Sequence, residues 1–238
     1  MTPVERLDKR IAAASRYSRR EVKELIRLGR VTVDGVRAAS AEQKVAETAA
    51  IAVDGQSLTY EPYLYILLHK PTGVLTATED RTAPTVLDLI PAPWRRKDLS
   101  PVGRLDKDTE GLLLLTDDGT LNHRLTSPRH HVDKVYYARV EAPLEKGDVA
   151  AFAAGIPLKD FTCLPARLEI LSPHECRVTV QEGKFHQVRR MLAARGKPVA
   201  YLKRLTMGPL SLDDALAPGD SRKLTREEVK ALYSAVGL

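Results

Sequence analysis

The chain has 238 residues, of which 43% are hydrophobic and 29% are charged, so it can bury a core and disorder is not expected. Its formal net charge of +6 favours a polyanionic partner, and its two cysteines, Cys163 and Cys176, are too far apart for a C-x-x-C metal or redox pair. No apolar run reaches the roughly 20 residues that span a bilayer, and the first residues lack the apolar core of a signal peptide, so we expect a cytoplasmic protein without membrane contact.

Most of the excess positive charge lies near the N-terminus, where the first 40 residues carry ten basic and five acidic side chains. Ser18 and Glu21 have the spacing of a capping box, and the apolar positions within Val22–Ile26 predict a short amphipathic helix after it. Two short alternating runs end at the Asp-Gly pairs 34–35 and 54–55, which are typical of tight turns. The pattern predicts two short helices and small strands, which form either a nucleic-acid anchor or a well-solvated helical surface.

Three segments of this N-terminal part, Arg6–Lys9, Ser18–Glu21 and Ile26–Gly35, resemble the S4 RNA-binding module. In that family the basic faces of two helices meet structured RNA. The resemblance implies an RNA-binding domain over residues 1–60, with RNA contacts made by five basic side chains. These are Arg19, Arg20, Lys23, Arg27 and Arg30.

A second domain is predicted over residues 61–238, because Glu61-Pro62 is a suitable hinge and the pattern of apolar and polar residues changes after it. Strand-like runs alternate with loops and a few helices, which favours an α+β fold with a largely antiparallel sheet. The predicted strands are 64–69, 112–116, 135–140, 167–171 and 177–181, and the predicted helices are 144–154, 187–195 and 226–236. Thr225 is the predicted N-cap of the last helix.

The densest polar stretch is a charged loop between Gly103 and Gly111, and it leads into the apolar run Leu112–Leu115, a predicted strand buried on both faces. Asp106 in this loop has three interpretations. It is a turn aspartate, a phosphoryl-transferring aspartate that partly matches the D-x-D-x-T motif, or a nucleophile or base acting on a nucleoside. The apolar strand precedes the aspartate in phosphotransfer enzymes and follows it here, which argues against the second interpretation.

Three motifs in order along the chain resemble the signature of RNA pseudouridine synthases. They are Lys70–Leu75, Gly103–Asp106 followed by Thr109 and Gly111, and Glu182–Met191. Together with the S4-like module, they resemble the ribosomal small-subunit pseudouridine synthase A (RsuA) family. Ser127–His131, Lys134-x-Tyr136 and Ala217–Thr225 extend the resemblance to nearly the whole chain.

This resemblance implies isomerisation of a uridine to pseudouridine in 16S ribosomal RNA, with no cofactor and no metal, by a monomer acting on an assembling small subunit. Asp106 takes the catalytic role, and it either attacks C1′ of the ribose or removes a proton from C2′. Arg189 is expected to pair with Asp106 and hold it ionised. Tyr136 is expected to stack on the displaced uracil, with Tyr137 on the opposite face of the strand.

Further RNA contacts are implied for Arg104, Arg129, His130 and His186, and for Lys70, which is also expected to shape the floor of the site. Two alternatives remain open. One is a pseudouridine synthase that acts on 23S ribosomal RNA, and the other is a non-catalytic S4-type RNA-binding protein of ribosome assembly.

Overall fold

The computed structural model describes residues 4–15, 17–46, 48–58 and 61–238. The chain divides into two compact units, Met1–Pro62 and Tyr63–Leu238. Within the described ranges, every helix is too short or too polar to cross a membrane. The two units are described separately below.

The described part of the first unit contains two helices and six short strands. In chain order they are β1 (Val4–Arg6), α1 (Leu7–Ala14), α2 (Arg19–Arg27), β2 (Val31–Val33), β3 (Val36–Arg37), β4 (Lys44–Ala46), β5 (Ile51–Val53) and β6 (Gln56–Leu58). Four strands form a sheet in the order β3-β2-β5-β6, and β1 pairs with β4. The predicted arrangement of two short helices with small strands is confirmed, with the addition of β1 before the first helix.

The capping box predicted at the start of α2 is present. The backbone N–H of Ser18 donates to Glu21 Oε2 at 2.7 Å, and the N–H of Glu21 donates to Ser18 Oγ at 3.3 Å. The apolar stripe of α2 is buried against Leu7 and Ile11 of α1. The opposite face of α2 therefore presents its basic side chains to solvent.

Every residue of the second unit is described, and it contains the remaining elements. These are β7 (Tyr65–Lys70), β8 (Ser100–Pro101), β9 (Glu110–Thr116), α3 (Gly119–Thr126), β10 (Lys134–Val140), α4 (Lys146–Ala154), β11 (Arg167–Ser172), β12 (Glu175–Val180), α5 (Gln187–Ala194), β13 (Val199–Met207), β14 (Leu210–Ser211), β15 (Ser221–Lys223) and α6 (Arg226–Ala235). Short 3₁₀ turns occupy Ala92–Trp94 and Pro128–His130. Thr225 caps α6 as predicted.

The second unit is built on one nine-stranded mixed sheet with the main order β11-β12-β10-β13-β9-β7-β15, while β8 and β14 pair with β9 and β13. All pairings are antiparallel except that of β9 with β13. The predicted α+β class with a mostly antiparallel sheet is therefore confirmed. The run Leu112–Leu115 is fully buried on both faces, because Leu113 and Leu115 pack into one core cluster and Leu112 and Leu114 into another.

The parallel contact between β9 and β13 depends on a glycine. Gly111 has a φ of +116°, and a Cβ atom there would lie 2.2 Å from the carbonyl oxygen of Arg204 in β13. Any larger residue would push the two strands apart. Because Gly111 closes the loop that carries Asp106, this close approach fixes the loop beside Arg204.

Five elements of the second unit were not predicted from the sequence: the short strands β8, β14 and β15, and the longer elements β13 and α3. The pattern of β13 is obscured because it carries Lys203 and Arg204 at its centre, where an apolar alternation is expected. The structure buries Arg204 almost completely, so this strand breaks the rule that charged side chains face water.

Candidate active site

A cavity of about 490 Å³ opens in the second unit, at the loop that precedes β9. Its walls come from residues 75–77 after β7, the loop 102–107, β10, the loop 183–186 before α5, and β13. Asp106 and Tyr136 both line it. Segments that lie far apart in the sequence thus meet at one site, because β9, β13 and β10 are neighbours in the sheet.

Lys70 holds the backbone of the loop on which Asp106 lies. Its side chain is fully buried at the end of β7, and its Nζ donates to the carbonyl oxygens of Asp106 at 3.1 Å and Thr109 at 2.9 Å. The same Nζ also donates to the carbonyl of the adjacent Pro71 at 3.0 Å and, over a longer distance of 3.4 Å, to that of Lys107. Burial lowers the pKa of Lys70 to about 8, and the carboxylates of Asp108 and Asp106 oppose that decrease, so the ammonium form still dominates at neutral pH.

The segment after β7 supports the same loop from its other side. Thr76 Oγ1 donates to the carbonyl of Leu105 at 2.7 Å and accepts from the Leu105 N–H at 3.2 Å. The N–H of Gly73 donates to the carbonyl of Lys107 at 2.7 Å. The residues on both sides of Asp106 are therefore hydrogen-bonded to the segment 73–76, which begins in the first motif and ends one residue after it.

The carboxyl group of Asp106 is about three-quarters buried and lies 3.5 Å, Oδ1 to Nε2, from His186. Burial raises the pKa of Asp106, and the nearby charge of Asp108 acts in the same direction. The electrostatic influence of His186, Arg189 and Lys70 opposes the increase by favouring the carboxylate. Asp106 is thus a partly desolvated carboxylate in a positive environment, which is the setting of a reactive nucleophile or base.

Arg189 does not make the predicted ion pair with Asp106. Its Nη2 lies 3.0 Å from Asp108 Oδ2 and donates to the Asp108 carbonyl at 3.2 Å, while Nη1 donates to the Val199 carbonyl at 3.3 Å. The prediction was wrong about the partner because Asp108 extends from the same tight loop toward α5. Arg189 therefore acts on Asp106 through the charge it places nearby and through the position of the loop.

Tyr136 and Tyr137 point to opposite faces of β10, as predicted. Tyr136 is 9% exposed and lines the cavity, so its ring is available to a base that enters there. Tyr137 lies on the other face, where its hydroxyl donates to Glu175 Oε1 at 2.6 Å and its ring packs edge-on against Tyr201. Only the first tyrosine can take part in the chemistry of this site.

Comparison with known proteins now assigns the family. Residues 64–194 match the RNA pseudouridylate synthase family model, and residues 5–58 match the S4 domain model. The chain belongs to the RNA pseudouridine synthase family. The three motifs of the predicted signature lie within the matched region, and the synthase thus combines an S4 domain with a pseudouridine synthase domain.

Relatives match this synthase over nearly its whole length. It is 43% identical to ribosomal small subunit pseudouridine synthase A of Escherichia coli, over 95% of this chain and 99% of that protein. It is 42% identical to YtzG, an uncharacterized RNA pseudouridine synthase of Bacillus subtilis, over 95% of this chain and 98% of that protein. A crystal structure of a pseudouridylate synthase superposes with a TM-score of 0.68 at 38% identity, covering 95% and 99% of the two chains.

The predicted RNA-contacting residues of the synthase domain differ in their placement. Arg104 is exposed at the cavity wall, and His186 is 42% exposed beside Asp106. Arg129 and His130 lie in the 3₁₀ turn after α3, and Arg129 is exposed, but neither lines the cavity. The assignment of Lys70 to RNA contact was wrong, since its ammonium group is buried and bonded to the loop carbonyls.

The S4 domain carries its predicted basic residues on exposed positions, most of them beside an acid. Arg19 Nη2 lies 2.9 Å from Asp8, Lys23 Nζ lies 3.2 Å from Glu42, Arg27 pairs with Glu24, and Arg30 pairs with Asp54. Together with Asp8, the side chains of Arg19, Arg20 and Lys23 line one surface depression. The pairs of Lys23, Arg27 and Arg30 are exposed and therefore weak, so RNA phosphates can compete for these cations, whereas Arg19 pairs with the buried carboxylate of Asp8. Arg16, one of the ten basic residues counted above, lies outside the described residues.

The sequence analysis missed two cations in the cavity of the synthase domain, Lys134 and Arg204. Lys134 lies two residues before Tyr136 on the same face of β10, and Arg204 lies directly opposite Tyr136 on β13. Both line the cavity, with exposures of 7% and 1%. The spacing of two residues between Lys134 and Tyr136 could have predicted that both side chains lie on the same face of the strand. Arg204 lies on β13, a strand that was not predicted.

Replacing Lys70 with methionine should destabilise the synthase, because the carbonyl oxygens of Asp106 and Thr109 would lose their buried donor. We expect Lys70→Met to lower the free energy of unfolding by at least about 2 kcal/mol, measured by urea denaturation. Lys107→Met is the matched control, since Lys107 is an exposed lysine in the same loop, and its change should stay within about 0.5 kcal/mol. Equal stability of the two variants would contradict the anchoring role of Lys70.

Proposed function

We propose that this synthase isomerises a uridine of 16S ribosomal RNA to pseudouridine and that Asp106 is its catalytic residue. The catalytic part rests on one observation, that Asp106 and Tyr136 line the same cavity while the backbone of Asp106 is bonded to buried Lys70. The choice of RNA rests on the relatives named as ribosomal small subunit synthases, at 42–44% identity. The proposal places a monomeric enzyme on assembling small subunits in the cytoplasm.

The reaction breaks the N1–C1′ bond of the uridine, turns the uracil, and joins C5 to C1′. A uridine stacked in RNA cannot reach Asp106, so the base must leave its stack and enter the cavity. The cavity volume of about 490 Å³ suits a single nucleoside-sized group. The ring of Tyr136 offers a stacking surface that compensates part of the lost base stacking.

Asp106 is suited to both routes that its chemistry allows. As a nucleophile it attacks C1′ and forms a covalent sugar ester, and as a base it removes the proton from C2′. Both routes need the ionised carboxylate. Burial raises the pKa of Asp106 and makes its carboxylate more basic, while His186, Arg189 and Lys70 act in the opposite direction and favour the ionised form.

Asp106→Asn should abolish turnover, because an amide neither attacks C1′ nor accepts a proton under these conditions. We expect kcat to fall by at least about 10⁴-fold while the Kd for RNA changes by less than about threefold. Release of tritium from 16S ribosomal RNA carrying 5-tritiated uridine measures the turnover, and filter binding measures the Kd.

The matched control for this variant is Asp108→Asn, which removes the neighbouring carboxylate of the same loop. It should lose far less activity, because Asp108 pairs with Arg189 and is itself exposed. Tritium release by Asp106→Asn at the wild-type rate would remove Asp106 from the catalytic role.

The target RNA can be determined in cells. In a strain that lacks this gene, one carbodiimide-dependent stop in primer extension along 16S ribosomal RNA should be missing, and the wild-type gene should restore it. The gene for Asp106→Asn should not restore it. If the missing stop lay in 23S ribosomal RNA instead, the protein would still be a pseudouridine synthase, but the proposed 16S substrate would be wrong.

The S4 domain should supply salt-dependent affinity without affecting the chemical step. Arg20→Gln combined with Lys23→Gln should reduce the slope of log Kd against log salt by about 1.5, because two phosphate contacts are lost. The kcat at saturating RNA should be unchanged. Lys146→Gln combined with Lys230→Gln removes the same charge from exposed positions of the other domain, and an equal change in slope there would refute a specific role for the S4 surface.

A further inference from the structure

The floor of the cavity holds two cationic side chains to which the proposed function assigns no role. Lys134 and Arg204 are 7% and 1% exposed, yet both line the cavity that contains Asp106 and Tyr136. Charged side chains are rarely buried to this extent unless they are paired or bind a ligand. Their position at the centre of the sheet therefore requires an explanation.

Arg204 is only partly satisfied by hydrogen bonds. Its Nε donates to the carbonyl of Leu112 at 2.8 Å, which fixes the guanidinium plane. Its Nη2 is buried and has no hydrogen-bond partner among the described residues. An unsatisfied buried donor on a charged group is costly, and a catalytic role in which the donor bonds to a substrate is one explanation for such a group.

The backbone around Arg204 leaves the side chain little freedom to withdraw. Gly111 packs so closely on the Arg204 backbone that a Cβ there would lie 2.2 Å from the Arg204 carbonyl oxygen. Arg204 also lies opposite Tyr136 in the register of β13 and β10, and both side chains line the cavity. The bond from Nε to the Leu112 carbonyl therefore holds the guanidinium group in the cavity that also contains the tyrosine.

The charges of the two residues repel each other. Burial and the charge of Arg204 together lower the pKa of Lys134 to about 8, against the opposing effect of Asp133. The Nζ of Lys134 is bonded to the carbonyls of Val132 at 2.9 Å and Gln181 at 3.5 Å rather than to a carboxylate. Two adjacent buried cations create a positive potential that favours negative charge in the cavity.

We propose that Arg204, assisted by Lys134, binds the carbonyl oxygens of the target uracil and stabilises the negative charge on the base when its bond to C1′ breaks. This inference rests on the proposed function. A base stacked on the ring of Tyr136 presents its edge to the neighbours of that ring on the same sheet face, and the cationic ones among these are Lys134 and Arg204.

The chemistry of the step explains the need for this charge. When the N1–C1′ bond breaks, its electron pair stays on the uracil and spreads over O2 and O4. The two cations donate hydrogen bonds to these oxygens and transfer no proton. C5 then forms the new bond to C1′, while the ester bond to Asp106 breaks in the first route or Asp106 returns the proton to C2′ in the second. The C5 proton passes to water and N1 takes a proton from water, so the charge exists only along the reaction path. Stabilisation of this kind raises kcat rather than substrate affinity.

The inference does not depend on which route Asp106 follows. An attack on C1′ and a proton removal from C2′ both release the uracil with its bonding electron pair. The role of Arg204 is therefore complementary to that of Asp106, because one group acts on the sugar and the other on the base.

The test compares RNA containing uridine with the same RNA containing 5-fluorouridine at the target position. Fluorine withdraws electrons and makes the uracil anion more stable, so the base needs less help from the protein. We expect Arg204→Gln to lower the single-turnover rate by about 100-fold with uridine but by only about 10-fold with 5-fluorouridine. Chromatography of the digested RNA measures the disappearance of the starting nucleoside, because 5-fluorouridine has no C5 proton to lose and shares only the earlier cleavage of N1–C1′ with uridine. The Kd should change by less than about threefold.

Arg139→Gln is the matched control, since Arg139 is exposed on the same strand as Tyr136 but on the opposite face, and it should match the wild type on both RNAs. Lys134→Met is the second variant and decides the question if Arg204→Gln does not fold. It should lose about 10-fold with uridine and less with 5-fluorouridine. An equal loss on both RNAs in a folded variant, or no loss, would overturn the inference. Inactivity of the wild type on 16S RNA would overturn the proposed function instead.

Discussion

The bonds from the Lys70 ammonium group to the carbonyls of the 106–109 loop are the interaction on which this site depends. A loop of charged residues would ordinarily be mobile at a protein surface, because each of its side chains prefers water. A buried cation beneath the loop changes this, since three N–H donors converge on carbonyls that would otherwise have to face solvent. The loop is thus tied to β7, the strand that also pairs with the buried β9. The position of Asp106 is set by the core of the domain rather than by the loop itself.

The charges around Asp106 follow from the same arrangement. The nearest carboxylate, Asp108, is occupied by Arg189, so that its repulsion of Asp106 is reduced. His186 and Lys70 lie on other sides and favour the ionised form. The result is a carboxylate whose pKa is raised by desolvation, while the positive charge around it acts against that increase. Had Arg189 paired directly with Asp106, as predicted, the carboxylate would have been a weaker nucleophile and base.

The sequence predicted most of the fold where local rules coincide with the tertiary structure. Ser18 and Thr225 begin their helices as expected, and the apolar run of β9 is buried on both faces. The failures share a cause. Lys70, Arg189 and Arg204 are cations whose partners come from distant segments, and no local pattern reports such partners. The sequence pointed to Lys70 as a member of a motif, but only the structure shows that it bonds to backbone rather than to RNA.

The buried cations that the sequence analysis misjudged are connected with the chemistry of the reaction. The uracil base of the substrate is neutral, so any charge that holds it must come from the protein. The ammonium group of Lys70 donates its hydrogen bonds to the loop carbonyls, whereas Arg204 has a buried N–H donor without a partner in the described structure. The first arrangement stabilises the fold, and the second leaves a donor free at the position where negative charge would form. A sequence pattern treats both cations as exceptions to the hydrophobic core, but the placement of their hydrogen bonds separates a structural cation from one available to a substrate.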